Sequence, residues 1–286
     1  MKKKFTLLLL LLALSQCCFA SRVLTDELGR KVAVPDHPHR LICLAPSIVD
    51  DVYQLGAGAD IVAVSDFTKY PSEAAAKPSV GLPLSPSLEK ILSLHPDLIL
   101  AMGEFNQVEH LRPVENQGVP IFMVDPRGLK GVYNSLDSLG KALNRESPAQ
   151  ALIATLRARE QAVRLRVQGK PQIRIFMPVW HDPVITIGRN DYITELIQIA
   201  GGRSVTDDIA QAWPHVSLEA VIARNPDALL LVRNGKMSVQ NLASRPGWSA
   251  MRAVQLGRVY YVDDRIELAS PIAFDALEDL SKQFHP

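Results

Sequence analysis

Apolar positions fall in short runs along this chain, and the runs alternate between strand and helix character. Arg40-Leu41-Ile42-Cys43-Leu44-Ala45 reads as a buried strand, Ile48 to Leu55 as a helix, and Ile61-Val62-Ala63-Val64 as the next strand. Unbroken apolar runs of this length suit strands covered on both faces, so the alternation predicts a parallel sheet with helices packed on it. Gly56-Ala57-Gly58 follows a helix rather than a strand and lacks the third glycine of a dinucleotide loop, so it serves to end the helix.

The pattern then repeats. Ser87-Leu88-Glu89-Lys90-Ile91-Leu92-Ser93-Leu94-His95-Pro96-Asp97-Leu98-Ile99-Leu100 returns as Ser217-Leu218-Glu219-Ala220-Val221-Ile222-Ala223-Arg224-Asn225-Pro226-Asp227-Ala228-Leu229-Leu230. Each copy predicts a short helix with a Ser N-cap and a first-turn glutamate, a stop enforced by proline, and a buried strand. A second echo pairs Gly118-Val119-Pro120-Ile121-Phe122-Met123-Val124-Asp125 with Gly257-Arg258-Val259-Tyr260-Tyr261-Val262-Asp263. Two copies of one α/β unit predict two similar, Rossmann-like lobes.

Between the copies, Ser147-Pro148 offers a helix start, and neither Gly nor Pro follows until Gly169 and Pro171. Leu152, Leu156, Val163 and Val167 form the apolar stripe of this predicted strut, and Arg157, Arg159, Glu160, Arg164 and Arg166 occupy its wet faces. The expected organisation is a lobe over 21–146, a linker helix over 147–169 and a second lobe over 170–286, with a ligand cleft between the lobes. A rigid helix permits only small lobe motions, unlike a flexible linker.

Residues 1–20 read as a signal peptide: Met1-Lys2-Lys3-Lys4, an apolar stretch from Phe5 to Leu14, then Cys18-Phe19-Ala20 before Ser21. Cleavage after Ala20 is the preferred reading; lipidation at Cys17 is the alternative. Without Lys2, Lys3 and Lys4, 28 Lys+Arg face 30 Asp+Glu, a formal net charge of −2 that points away from a nucleic-acid partner. Cys43 then remains as a single cysteine in an apolar run, read as a small buried residue.

Together these features resemble the helical-backbone periplasmic binding proteins, which carry the Fe/B12 periplasmic-binding domain. The resemblance spans the mature chain and is most specific at Arg40 to Ser47, Ser87 to Ala101, Gly188 to Val205 and Trp213 to Leu231. Trp213-Pro214-His215-Val216-Ser217 and Ala269-Ser270-Pro271 are most similar to the cobalamin-binding branch. Tryptophans that some cobalamin binders carry nearby are replaced by Leu82-Pro83-Leu84 and Met102. The resemblance implies a periplasmic, monomeric receptor with no cofactor of its own. It would capture a cobalt or iron chelate, cobalamin first and ferric siderophore or haem second, and deliver it to the permease dimer of an ABC importer.

It also implies a site at the loops that follow the strands: Pro46, Ser47, Phe67, Tyr70, Met102, Trp180, Trp213 and Arg265. Tyr70, Trp180 and Trp213 suit a large flat macrocycle, because aromatic rings supply apolar area at little entropic cost. Arg189, Arg233 and Arg265 would favour an anionic ligand instead. Glu89 and Glu219, one per lobe, are implied to dock on permease arginines. Ser47 lies outside any Gly-x-Ser-x-Gly turn, and His-Glu-x-x-His and Walker motifs are absent, so an enzyme is not expected. A metal-ion receptor using His181-Asp182, or an oxyanion receptor using Ser47 and Arg265, remains as a minor alternative.

Overall fold

A computed structural model describes residues 20–233 and 237–286. Residues 1–19 of the expected signal peptide, including Cys17 and Cys18, lie outside the described residues, as does Asn234.

The N-terminal lobe opens with a hairpin, β1 (Ser21–Thr25) against β2 (Lys31–Pro35). It continues through β3 (Leu41–Cys43), α1 (Pro46–Gln54) and β4 (Ile61–Val64), then a small hairpin of β5 (Gly81–Leu82) and β6 (Ser85–Pro86). Next come α2 (Leu88–Ser93), β7 (Leu98–Met102), α3 (Val108–Glu115), β8 (Ile121–Val124) and α4 (Gly128–Ala142). After the long α5 (Glu146–Val167), the C-terminal lobe runs β9 (Ile173–Phe176), the hairpin β10 (Pro178–His181) and β11 (Val184–Thr186), α6 (Tyr192–Ile199) and β12 (Gly202–Ser204). It closes with α7 (Leu218–Ala223), β13 (Ala228–Val232), β14 (Val259–Val262) and α8 (Ala273–Phe284).

Each lobe holds a four-stranded parallel sheet, ordered β4-β3-β7-β8 in the first and β12-β9-β13-β14 in the second. The orders are equivalent: the first strand is inside, the second lies to one side of it, and the third and fourth lie to the other. Connections therefore diverge between β3 and β7 and between β9 and β13, which leaves a crevice at the carboxyl ends of those strands. Every residue of β7 and β13 is buried, as expected of strands covered on both faces.

The duplicated motif builds the same joint twice. Ser87 and Ser217 cap their helices, their Oγ atoms accepting the N–H of Lys90 at 3.3 Å and of Ala220 at 3.1 Å. His95 and Asn225 leave the helices at the same left-handed φ of 46° and aim Pro-Asp at the next strand. Asp97 accepts the N–H groups of His39 at 2.7 Å and Arg40 at 3.0 Å, while the Arg40 guanidinium donates to the carbonyls of Leu94 and His95. Asp227 likewise accepts the Arg174 N–H at 2.9 Å, and the Arg174 guanidinium donates to the Arg224 carbonyl. Each Asp thus ties the start of the third strand to the start of the first.

The strut is a single helix of 22 residues, about 33 Å long at 1.5 Å per residue. It begins at Glu146 with Arg145 in the cap position and no side-chain cap, so Ser147 is inside the first turn rather than the N-cap expected from sequence. Ala149, Ile153, Leu156 and Val163 are buried on it; Leu152 is half-buried and touches the cores of both lobes. Helix α4 also joins the lobes, with Leu129, Val132, Tyr133 and Leu136 in the core of the second lobe and Leu139 and Ala142 in that of the first. Arg159 of α5 grips Asp275 at 2.7 Å and Glu278 at 2.6 Å on α8. The connection is accordingly a pair of packed helices, stiffer than a lone strut.

Candidate functional site

The carboxyl ends of the two sheets are brought together by contacts from one lobe to the other. At one side Tyr70 Oη donates to Asp264 Oδ1 at 2.9 Å and Lys69 Nζ donates to Asp264 Oδ2 at 2.6 Å. Tyr70 lies on the loop after β4, and Asp264 follows β14. One turn into α1, the buried Asp50 uses Oδ2 to accept from Ser270 Oγ at 2.8 Å and from the Ile272 N–H at 3.0 Å, just ahead of α8. Glu195 of α6 accepts the Leu129 N–H at the start of α4 at 2.7 Å.

Large apolar side chains stand exposed on the loops around this crevice. Phe67 is 70% exposed, Leu82 45% and Leu84 67% on the first lobe; Trp180 is 44% and Trp213 40% exposed on the second. The β5–β6 hairpin that carries Leu82 and Leu84 is tied to the carboxyl end of β7 by Asn106, whose Nδ2 donates to the Pro83 carbonyl at 2.6 Å and whose Oδ1 accepts the Met102 N–H. Trp180 sits on the β10–β11 hairpin, its Nε1 donating to the Asp182 carbonyl at 2.8 Å and its ring packed 4.9 Å from that of His181. Trp213 precedes Pro214, whose carbonyl accepts the Thr186 N–H at 3.1 Å, so both tryptophans belong to neighbouring segments of one lobe. Covering this aromatic and aliphatic area would be favourable by about 25 cal/mol per Å2.

The sequence-derived positions divide. Phe67, Tyr70, Trp180 and Trp213 are on the crevice loops, and Pro46 is half-buried at the first turn of α1. Ser47 and Met102 are corrections: they are only 4% and 2% exposed, and Met102, as the last residue of β7, points into the core with Leu100 and Val124. Arg265 stands on the turn after β14, its guanidinium held by Asp263 at 2.7 Å and Asp275 at 3.3 Å. The other loop cations also have partners within the protein. Arg189 donates to the Asp207 and Asp208 carbonyls, Arg233 to the Tyr261 carbonyl, and Arg127 pairs with Asp125. Lys69 and Asp264 carry contacts that no spacing rule could have paired, 195 residues apart.

Two buried carboxyls lie close by. Asp191 caps α6 by accepting the Ile193 N–H at 2.7 Å; burial pushes its carboxyl up to about 7 against the pull of that bond, and the Glu104 charge adds to the rise. Burial also raises Asp50, while the bonds from Ser270, Ile272 and Gln54 oppose it. Glu89 and Glu219 are exposed in the first turns of α2 and α7 and, among the described residues, have no bonded partner. Among the same residues no group of three or more His, Cys, Asp or Glu side chains is placed to hold a metal ion.

The sequence profile of the periplasmic binding proteins matches residues 41–266, from the first strand of one sheet to the turn after the last strand of the other. The chain belongs to the periplasmic binding protein family. Within it, the chain is similar to an ABC transporter substrate-binding lipoprotein of Bacillus subtilis, at 26% identity over 91% of this chain and 84% of that one. A vitamin B12-binding protein of Pectobacterium carotovorum is 32% identical over 68% of this chain and 71% of its own. Among solved structures, the apo periplasmic haem-binding protein RhuT of Roseiflexus sp. RS-1 superposes with a TM-score of 0.79 at 26% identity, covering 86% of this chain and 98% of that one. The two-lobed fold is that of the family, and this periplasmic binding protein is a substrate-binding protein of an ABC transporter.

Proposed function

We propose that this protein captures a cobalamin between its lobes and hands it to the permease of an ABC importer. One observation supports the choice of ligand: exposed apolar and aromatic side chains stand on loops of both lobes that follow the sheet strands, while Lys69, Arg127, Arg189, Arg233 and Arg265 are all bonded within the protein. A corrin rimmed by neutral amides can stack on Trp180, Trp213 and Phe67 and bond to backbone and tyrosine groups without needing a free guanidinium. Haem propionates or an anionic siderophore would have to compete with Asp264, Asp125 or Asp263 for Lys69, Arg127 or Arg265, or with backbone carbonyls for Arg189 and Arg233. Haem is the second reading, favoured by the likeness to RhuT. Glu89 and Glu219 are the permease contacts in this reading, equivalent carboxylates in equivalent helices on the two lobes. Export with cleavage after Ala20 puts the receptor in the periplasm, where it works as a monomer.

Titration of the purified protein with cyanocobalamin, haemin and a ferric hydroxamate, followed by tryptophan fluorescence and thermal melting, tests the assignment. Cyanocobalamin is expected to quench Trp180 and Trp213 and, at 100 times its Kd, to add about 2.7 kcal/mol of stability. Binding of haemin alone would transfer the assignment to haem, and no response to any of the three would end the chelate reading.

A further inference from the structure

We propose that residues 65–71 form a strap, fastened to the opposite lobe by Lys69 and Tyr70 on Asp264, that must unlatch for ligand to enter or leave the crevice. The proposal rests on the crevice being the ligand site.

The root of the strap is fixed. The Ser65 N–H donates to the Cys43 carbonyl at 3.0 Å and the Asp66 N–H to the Gly81 carbonyl at 2.8 Å, and Thr68 Oγ1 donates to the Ser65 carbonyl at 2.8 Å. Its apex is unusual: Phe67 takes a left-handed φ of 67° and leaves its ring 70% exposed. A bulky residue adopts that conformation at a cost of about 1–2 kcal/mol, so its surroundings must impose it. Here the loop is clamped at both ends, by the first lobe at residues 65, 66 and 68 and by the second at residues 69 and 70. Both oxygens of one carboxylate are used in the second clamp, which gives it a defined geometry.

The clamp is also the interlobe contact best suited to release. The Lys69 side chain is 60% exposed, so water can replace its bond to Asp264. Asp50, by contrast, is 3% exposed, and breaking its bonds to Ser270 and Ile272 would strand buried groups. The lobes therefore part at the strap while the Asp50 contact, α4 and α5 stay packed. Phe67, carried at the apex, would swing with the strap over an entering ligand.

Spin labels at Glu109→Cys and Gln240→Cys, one exposed position on each lobe, report the interlobe distance in the apo protein without any ligand. Asp264→Ala should broaden that distribution toward longer separations, and Lys69→Asp should do the same. The charge-swapped pair Lys69→Asp with Asp264→Lys should restore the narrow distribution, which separates a latch from general damage. Stopped-flow mixing with cyanocobalamin should show association and dissociation both accelerated severalfold in Asp264→Ala. An unchanged distance distribution in Asp264→Ala and Lys69→Asp would overturn the latch, whatever the ligand is. Altered distances with association and dissociation rates within twofold of wild type would overturn its role as a gate. Binding of none of the chelates would sink the ligand assignment alone, because the distance measurement stands without it.

Discussion

Asp191→Asn should make the protein more stable at pH 8 and leave it unchanged at pH 4. Asp191 is 5% exposed, and burial raises its carboxyl from an ordinary 3.8 to about 7. A carboxyl whose pKa is higher in the folded state holds its proton more tightly there. The resulting stabilisation is complete below about pH 4, the unfolded value, and fades as pH rises to about 7. At about 1.36 kcal/mol per pKa unit, that displacement makes the wild type up to about 4 kcal/mol less stable at pH 8 than at pH 4 through this residue alone. Asparagine keeps the α6 cap, because its side-chain oxygen can still accept the Ile193 N–H, and it has no charge to bury. The assay is urea unfolding of both proteins at half-unit steps from pH 4 to 8. Asp50, Asp51 and Glu27 are also raised by burial and tilt both curves in the same direction, so the difference between the curves isolates Asp191. Curves that stay parallel across the range would refute the reasoning.

Asp50→Ala leaves the Ser270 hydroxyl and the Ile272 N–H without their acceptor and removes a contact between lobes, at an expected cost of about 2–3 kcal/mol by urea unfolding. Trp213→Ala should weaken cyanocobalamin binding by tenfold or more, about 1.4 kcal/mol or above by calorimetry, with the melting temperature of the free protein little changed because the ring is 40% exposed. Glu89→Ala combined with Glu219→Ala should leave ligand affinity intact and abolish stimulation of the transporter ATPase; an unchanged ATPase response would remove these glutamates from docking.

The architecture was legible because the chain states its core motif twice. Ser-Leu-Glu, the Pro-Asp stop and the buried run report backbone requirements: a cap, an end to the helix and a strand covered on both faces. Side-chain direction was much less legible. Met102 ends β7 and turns inward, since a strand's last residue faces the core or the crevice by parity alone, and Ser47 is buried in the first turn of α1. The β1–β2 hairpin was missed although Val32 and Val34 alternate with exposed residues and Gly29 marks the turn. Contacts such as Lys69 with Asp264 and Asp50 with Ser270 depend on how two lobes meet, and no local pattern encodes that.

Charge commitment links this fold to ligand choice. Arg265 illustrates it: sequence offers a guanidinium at the crevice, but Asp263 and Asp275 hold it, and Arg159 from the linker helix takes the other oxygen of Asp275. The loop after β14 is thereby tied to α5, so the charge that could have drawn an anion instead fixes the position of Asp264, to which the strap fastens. Aromatic side chains stand exposed on the neighbouring loops, at Phe67, Trp180 and Trp213. Under the proposed function, such a site would discriminate by shape and by the cost of stranding a ligand's own charges, which would favour a neutral macrocycle over an anionic one of similar size.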